Sequence, residues 1–168
     1  VASLKERFPD AIKDDTRQGY SGIIVDKNRL VEVATTIRDE FGYNYLSSAT
    51  AVDYHGISDD MEMVYHAYQI SGGPALVIKA QTPRNNPEIP SLIDVWPGAD
   101  FQEREAYDLF GIKFTGHPNL KRILLWEGFN GYPMRKDWQE AYYEEDHKPF
   151  ESRRSEERRV GKECRSRW

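Results

Sequence analysis

Cysteine is almost missing from this 168-residue chain, whose single thiol is Cys164, close to the end. One thiol cannot form a disulfide framework, a cysteine zinc knot or a cysteine-ligated iron–sulfur cluster. Long apolar runs are missing too, and nothing approaches the ~18–20 residues of a membrane-spanning helix. The opening stretch Val1 to Arg7 has no apolar segment of the signal-peptide kind. The four histidines (His55, His66, His117, His147) show no HExxH spacing. Gly72-Gly73 stands alone, without GxGxxG or GxxxxGK[ST], so there is no sequence case for a nucleotide loop. An excess of positive charge is lacking as well: 23 Lys+Arg against 28 Asp+Glu give a net charge of −5, which argues against non-specific nucleic-acid binding.

That charge is unevenly spread. The last 18 residues, ESRRSEERRVGKECRSRW, carry seven Lys/Arg and four Glu, a net +3. The first 150 residues then hold 16 basic and 24 acidic side chains, a net −8, and no cysteine. A chain of this length supports one domain, or one domain with an extension.

Periodicity predicts the elements. A short helix spans Leu4 to Phe8 and stops before Pro9. The β-branched run Tyr20 to Val25 reads as a strand. Asp26 is placed to cap a helix whose apolar face is Leu30, Val33, Ala34, Ile37 and Phe41, with Gly42 as its stop. Tyr45–Tyr54, Met61–Ile70 and Ala75–Thr82 read as three strands joined by short turn-rich links, hence an antiparallel meander. Asn85–Pro90 is a breaker-rich link, and Ser91 heads a short helix through Trp96. Asp100 and Glu103 have capping-box spacing for a helix that ends at Gly111. Its expected apolar side is Phe101, Ala106, Leu109 and Phe110, with Arg104 and Asp108 as an i,i+4 pair. The fold class expected is α+β: a small antiparallel (mixed) sheet with helices on one face, followed by an extended irregular C-terminal arm.

The arm covers residues 111–150, after an α+β domain of 1–110 and before the basic tail of 151–168. It has frequent Gly and Pro, no long periodic element, and six aromatics from Trp126 to Tyr143. An aromatic-rich stretch of this length must lie on something, either its own domain or a partner.

The densest chemistry falls in three blocks: Glu103-Arg104-Glu105-Ala-Tyr-Asp108-Leu-Phe110-Gly111, then His117-Pro118-Asn-Leu-Lys121-Arg122-Ile-Leu, then Gly131-Tyr-Pro133-Met-Arg135-Lys136-Asp137. Arg104, Arg122 and Arg135 are planar donors suited to carboxylates, and Glu103, Glu105 and Asp108 are the matching acceptors. Phe110, Phe114, Trp126 and Trp138 are anchors of the interface-core kind. The helix 100–110 and the arm together read as a docking surface.

These blocks resemble the C subunit of the proton-pumping NADH:quinone oxidoreductase, respiratory complex I. The family pattern is ERE-x-x-D with two apolar residues and Gly, a His after six intervening residues, HP-x-L-R/K-R-I-L, and G-x-P-x-R-K-D. The carboxy-terminal blocks carry the match, and the amino-terminal half agrees in general layout. The resemblance implies a peripheral-arm subunit without isolated activity and without catalytic residues, metal or cofactor of its own. FMN, iron–sulfur clusters and quinone belong to the complex as a whole, and NADH is oxidised elsewhere in it. The implied partners are the quinone-side subunit and neighbouring iron–sulfur subunits, at the cytoplasmic face of a bacterial plasma membrane or its organelle equivalent. Membrane contact comes only through the complex, and no nucleic acid is involved.

Two alternatives stay open on sequence. Related membrane-bound hydrogenases and ferredoxin or deazaflavin dehydrogenases carry similar subunits. More distantly, Glu103, Glu105, Asp108 and His117 suit a free-standing metal-dependent hydrolase, although the interleaved Arg104, Lys113, Lys121 and Arg122 favour ion pairing. His117 reads chiefly as a turn-fixing side chain. The tail from Arg153 departs from the family and reads as sequence appended to the natural chain, the alternative being a genuine basic tail for an acidic neighbour.

Overall fold

Alternation of side chains in one strand sorts the core from the outer sheet surface. In β4 (Asp60–Tyr68), Met61, Met63, Tyr65 and Ala67 are buried on one face, while Val64 and His66 on the other are only half-buried. A computed structural model describes residues 2–139 apart from Glu127. The remainder of the arm and the tail, residues 140–168, lies outside the described residues. Nine further elements are α1 (Ala2–Arg7), β1 (Ile12–Asp14), β2 (Ile23–Val25), α2 (Leu30–Asp39), β3 (Tyr45–Asp53), β5 (Leu76–Pro83), β6 (Glu88–Pro90), α3 (Ala99–Phe110) and β7 (Lys113–Thr115).

The five-stranded sheet has the order β1-β2-β5-β4-β3, and with its helices it makes the fold α+β. The expected meander is present: β3 pairs antiparallel with β4, and β4 with β5. β2, however, pairs parallel with β5, Ile23 opposite Ile78, which makes the sheet mixed. Parallel strands need a long crossover, and α2, β3 and β4 supply it. The β2 strand is also shorter than expected. At Gly22 the backbone has φ +115°, and a Cβ there would lie 2.5 Å from the Val77 carbonyl oxygen.

The α2 helix ends at Asp39, short of Phe41 and of the expected stop at Gly42, but its face is as expected over Leu30, Val33, Ala34 and Ile37, which have no exposed surface. Burying each of the larger ones contributes about 1.5–3 kcal/mol. They join Leu4 and Phe8, the core face of β4, Ile23, Val25, Ile78 and Trp96 in one cluster. Asp26 caps a different element, since its carboxylate accepts the Asn28 N–H at 2.8 Å and opens one 3-10 turn, after which α2 begins at Leu30.

Four local expectations are corrected. The Asn85–Pro90 link contains β6, which pairs parallel with β7. Ser91–Trp96 makes one turn closed on the Leu92 carbonyl, and no helix. α3 starts one residue early, with Gly98 as N-cap and no side-chain cap, so Asp100 and Glu103 form no capping box. Glu103 instead turns inward, fully buried, and accepts the Leu92 N–H at 2.7 Å and the Ser91 hydroxyl at 2.6 Å. Fourth, the buried side of α3 is Ala99, Glu103, Ala106 and Asp108, while Phe101 is exposed. The helix is placed by two inward carboxylates, which a count of apolar residues cannot register. Gly111 ends α3 as expected, at φ +76°.

Gly22 and Glu103 each give a measurable consequence. Gly22→Ala meets backbone at 2.5 Å in a conformation L residues rarely adopt, so it should cost at least about 2 kcal/mol in chemical denaturation of the full chain. For Glu103, burial, helped by the charge of Asp100, outweighs the hydrogen bonds from Ser91 and Leu92 and lifts the pKa from 4.5 to about 7. The folded chain therefore keeps a proton that the unfolded chain releases between pH ~4.5 and ~7. That contribution is fully present below the window and is lost as pH rises through it, up to roughly 3 kcal/mol. Glu103→Gln can hold both partners without titrating. It should flatten the fall in stability across this window and leave the variant at least as stable as wild type at pH 8. A wild-type slope in the Gln variant would refute the assignment.

Candidate functional site

The irregular segment after Gly111 has few backbone partners of its own, yet residues through Trp138 belong to one compact unit. Carboxylates and carbonyls of the folded body hold it. Asp108, fully buried on α3, accepts three successive backbone N–H groups on one oxygen: Ile123 at 3.0 Å, Leu124 at 2.7 Å and Leu125 at 3.0 Å. Consecutive amides converging on one anion form a nest, here filled by the protein's own carboxylate. Arg122 lies 3.5 Å from the second oxygen.

Further along, the Met134 N–H donates to the Leu109 carbonyl, and Arg135 Nε to the Phe110 carbonyl at 2.6 Å. The Lys136 N–H donates to Asp53, at the end of β3, at 3.0 Å. Asp53 also accepts from Arg84 and from the His55 N–H, and Arg84 reaches on to Asp137. Burial alone would raise the Asp53 pKa, but Arg84 and the Lys136 and His55 amides outweigh it and hold the carboxyl below its ordinary value. Arg135 is pushed the other way, lowered by burial and by the nearby Arg84.

The remaining motif residues shape the path. A Cβ on Gly111 would lie 2.6 Å from the Tyr132 ring, and one on Gly131 2.6 Å from the Trp138 indole nitrogen, so both glycines are sites of close approach. His117 Nδ1 accepts the Asn119 N–H at 3.1 Å, which places the ring proton on Nε2, facing Asp100 at 3.3 Å. Pro118 is exposed in the turn that this histidine fixes, and Pro133 sits in the turn before Arg135. Arg104 donates to the Lys121 carbonyl at 3.1 Å, while Asp108 is engaged by Arg122, so the expected Arg104–Asp108 pair is not formed.

The motif therefore comes together as a set of loop anchors. The four residues weighed as an acid–base or metal site do not converge. Glu103 faces Ser91 and Leu92, Asp108 the 123–125 amides, and His117 Asp100, while Glu105 lines a groove beside β3 with Gln102. Among the described residues no three His, Cys, Asp or Glu side chains are grouped to hold a metal ion. Sequence reasoning missed Asp53 and Arg84, which lie 83 and 53 positions from their arm partners. It also missed Gln102, which caps the Ala49 N–H on the sheet edge.

Known proteins resemble this chain in sequence and fold. The family model described as "Respiratory-chain NADH dehydrogenase, 30 Kd subunit" matches residues 23–144. The C subunit of NADH-quinone oxidoreductase from Moorella thermoacetica is 41% identical over 140 residues, 82% of this chain and 92% of that protein. Its counterpart from Citrifermentans bemidjiense is 40% identical over 156 residues, covering 92% and 96%. Among solved structures, the trypsin-resistant fragment (1–134) of Nqo5 superposes with a TM-score of 0.58 at 30% identity, covering 71% of this chain and 97% of that one. A chain of the membrane-bound sulfane sulfur reductase, an archaeal respiratory membrane complex, shares the fold at a TM-score of 0.66 and 24% identity, covering 82% of each. Family model, relatives and fold agree, and this chain belongs to the 30 Kd subunit family of the respiratory-chain NADH dehydrogenase, the C subunits of NADH-quinone oxidoreductases.

Proposed function

We propose that this chain is a non-catalytic peripheral-arm subunit of a proton-translocating NADH:quinone oxidoreductase, and that α3 with the arm is its docking surface. In this reading residues 1–110 are the body and 111–150 the arm. The partners are the quinone-side subunit and the neighbouring iron–sulfur subunits, which hold the clusters; FMN and quinone also sit elsewhere in the complex. The chain is carried to the cytoplasmic face of the membrane by those partners. No helix among the described residues is long and apolar enough to cross a membrane. Relatives at about 40% identity that are named as the C subunit of this enzyme favour it over other membrane-bound respiratory complexes.

One observation carries the docking reading. Phe101, Leu124, Trp126 and Met134 are 65%, 60%, 63% and 55% exposed, yet they stand on backbone tied to the body by Asp108 and the Leu109 and Phe110 carbonyls. Large apolar side chains left exposed on an ordered frame mark an interface.

The double variant Leu124→Ser/Trp126→Ser tests it. Both side chains are mostly in water, so the full chain expressed alone should melt within about 3 °C of wild type. The complex purified from detergent-solubilised membranes should retain this subunit at least tenfold less. Wild-type retention would overturn the docking reading, and turnover of NADH with a soluble quinone by the isolated chain would overturn the non-catalytic one.

A further inference from the structure

We infer that the partner surface received by α3 and the arm is acidic, with carboxylates set around an apolar seat for Leu124 and Trp126; this rests on the docking reading above. Arg104 stacks over Phe101 at 5.6 Å and binds the Lys121 carbonyl, and the Lys121 side chain is exposed. Lys136 leaves the arm at its anchor on Asp53 and is exposed. Among the described residues no carboxylate oxygen lies within 4 Å of the charged atoms of Arg104, Lys121, Arg135 or Lys136.

Most acids of the same region are engaged within the chain: Asp108 by three amides, Asp137 by Arg84 and Asp100 by the facing His117, while Glu105 is exposed in the groove beside β3. Elsewhere most cations are paired, Arg7 with Glu40, Arg29 with Glu32, Arg38 with Asp39, and Arg17 and Lys79 with Asp15, the exceptions among the described residues being Lys13 and Lys27. The first 150 residues carry a net −8, so four cations that meet no carboxylate among the described residues go against the body's own charge. Complementary potential steers docking and rejects wrong partners, and its effect is screened by salt. Half-buried Arg135, its charge disfavoured by burial and by Arg84, is relieved by an incoming carboxylate.

The test is retention of the subunit in the solubilised complex, per copy of a tagged neighbouring subunit, at 50 and 500 mM NaCl. Lys121→Glu/Lys136→Glu should lower retention at least tenfold at 50 mM, and wild-type retention should itself fall at least threefold between the two salts. Both lysines are exposed. Should the reversal destabilise the full chain, Lys121→Ala/Lys136→Ala is read instead, with at least a threefold loss at 50 mM. Wild-type retention of the charge variants with loss of Leu124→Ser/Trp126→Ser would overturn the acidic partner and leave the docking face standing. Wild-type retention of all of them would overturn the docking reading itself.

Discussion

A carboxylate taken out of water must find compensating donors, and this protein meets that demand with the backbone of its least regular segments. Glu103 takes the amide and hydroxyl at Ser91–Leu92, Asp108 three amides of 123–125, and Asp53 the amides of His55 and Lys136. Each pairing serves the loop amides as well as the acid, since a buried loop amide left unpaired carries a cost of its own, although the second Asp108 oxygen has no hydrogen bond and only Arg122 at 3.5 Å. The arm therefore needs no periodic structure to be ordered. Its path is set by where α3 and the end of β3 present their acids.

The outer face of the sheet uses the same constraint for another purpose. Glu62 is fully buried there, on the side of β4 opposite the core methionines, and it accepts from Arg17, Tyr54 and Gln81. Arg17 also pairs with Asp15, which in turn holds Lys79. The Arg17 guanidinium keeps the Asp15 carboxyl well below its ordinary range despite burial. Burial and the Glu62 charge push the Tyr54 phenol up to about 12. Two acids and two bases close on each other, so this face is electrically spent, unlike the arm face.

Periodicity and glycine make part of this structure legible in the sequence. Leu30, Val33, Ala34 and Ile37 repeat along α2, and β4 and β5 alternate over nine and eight residues, so both kinds of element show their period. β1, β6 and β7 have three residues apiece, too few to show any. The motif containing Glu103, Asp108, Arg122 and Arg135 stands out, but its spacing points to surface pairing. Along one helix i,i+4 partners are favoured, whereas Asp108 reaches 15 to 17 residues ahead. Asp53 gives no local signal at all: a single acid at a strand end acquires meaning only when the chain returns 83 residues later.

This division of labour bears on why the proposed docking surface is built from loop. A helix or strand presents side chains at fixed spacing, whereas a segment pinned at intervals by carboxylates can place Leu124, Trp126 and Met134 where a partner requires them. The usual drawback of such a segment is the entropy lost when it is ordered on binding. Here the folded body has already ordered it. Asp108 fixes the backbone at Leu124 itself, and the Leu109 carbonyl fixes Met134. Association then has mainly side-chain freedom and water to displace, so exposed apolar area converts to affinity with a smaller ordering cost. On the proposed docking reading the buried acids of α3 contribute to assembly without touching the partner: removing Asp108 would leave Leu124 and Trp126 in place chemically and still free the backbone that presents them.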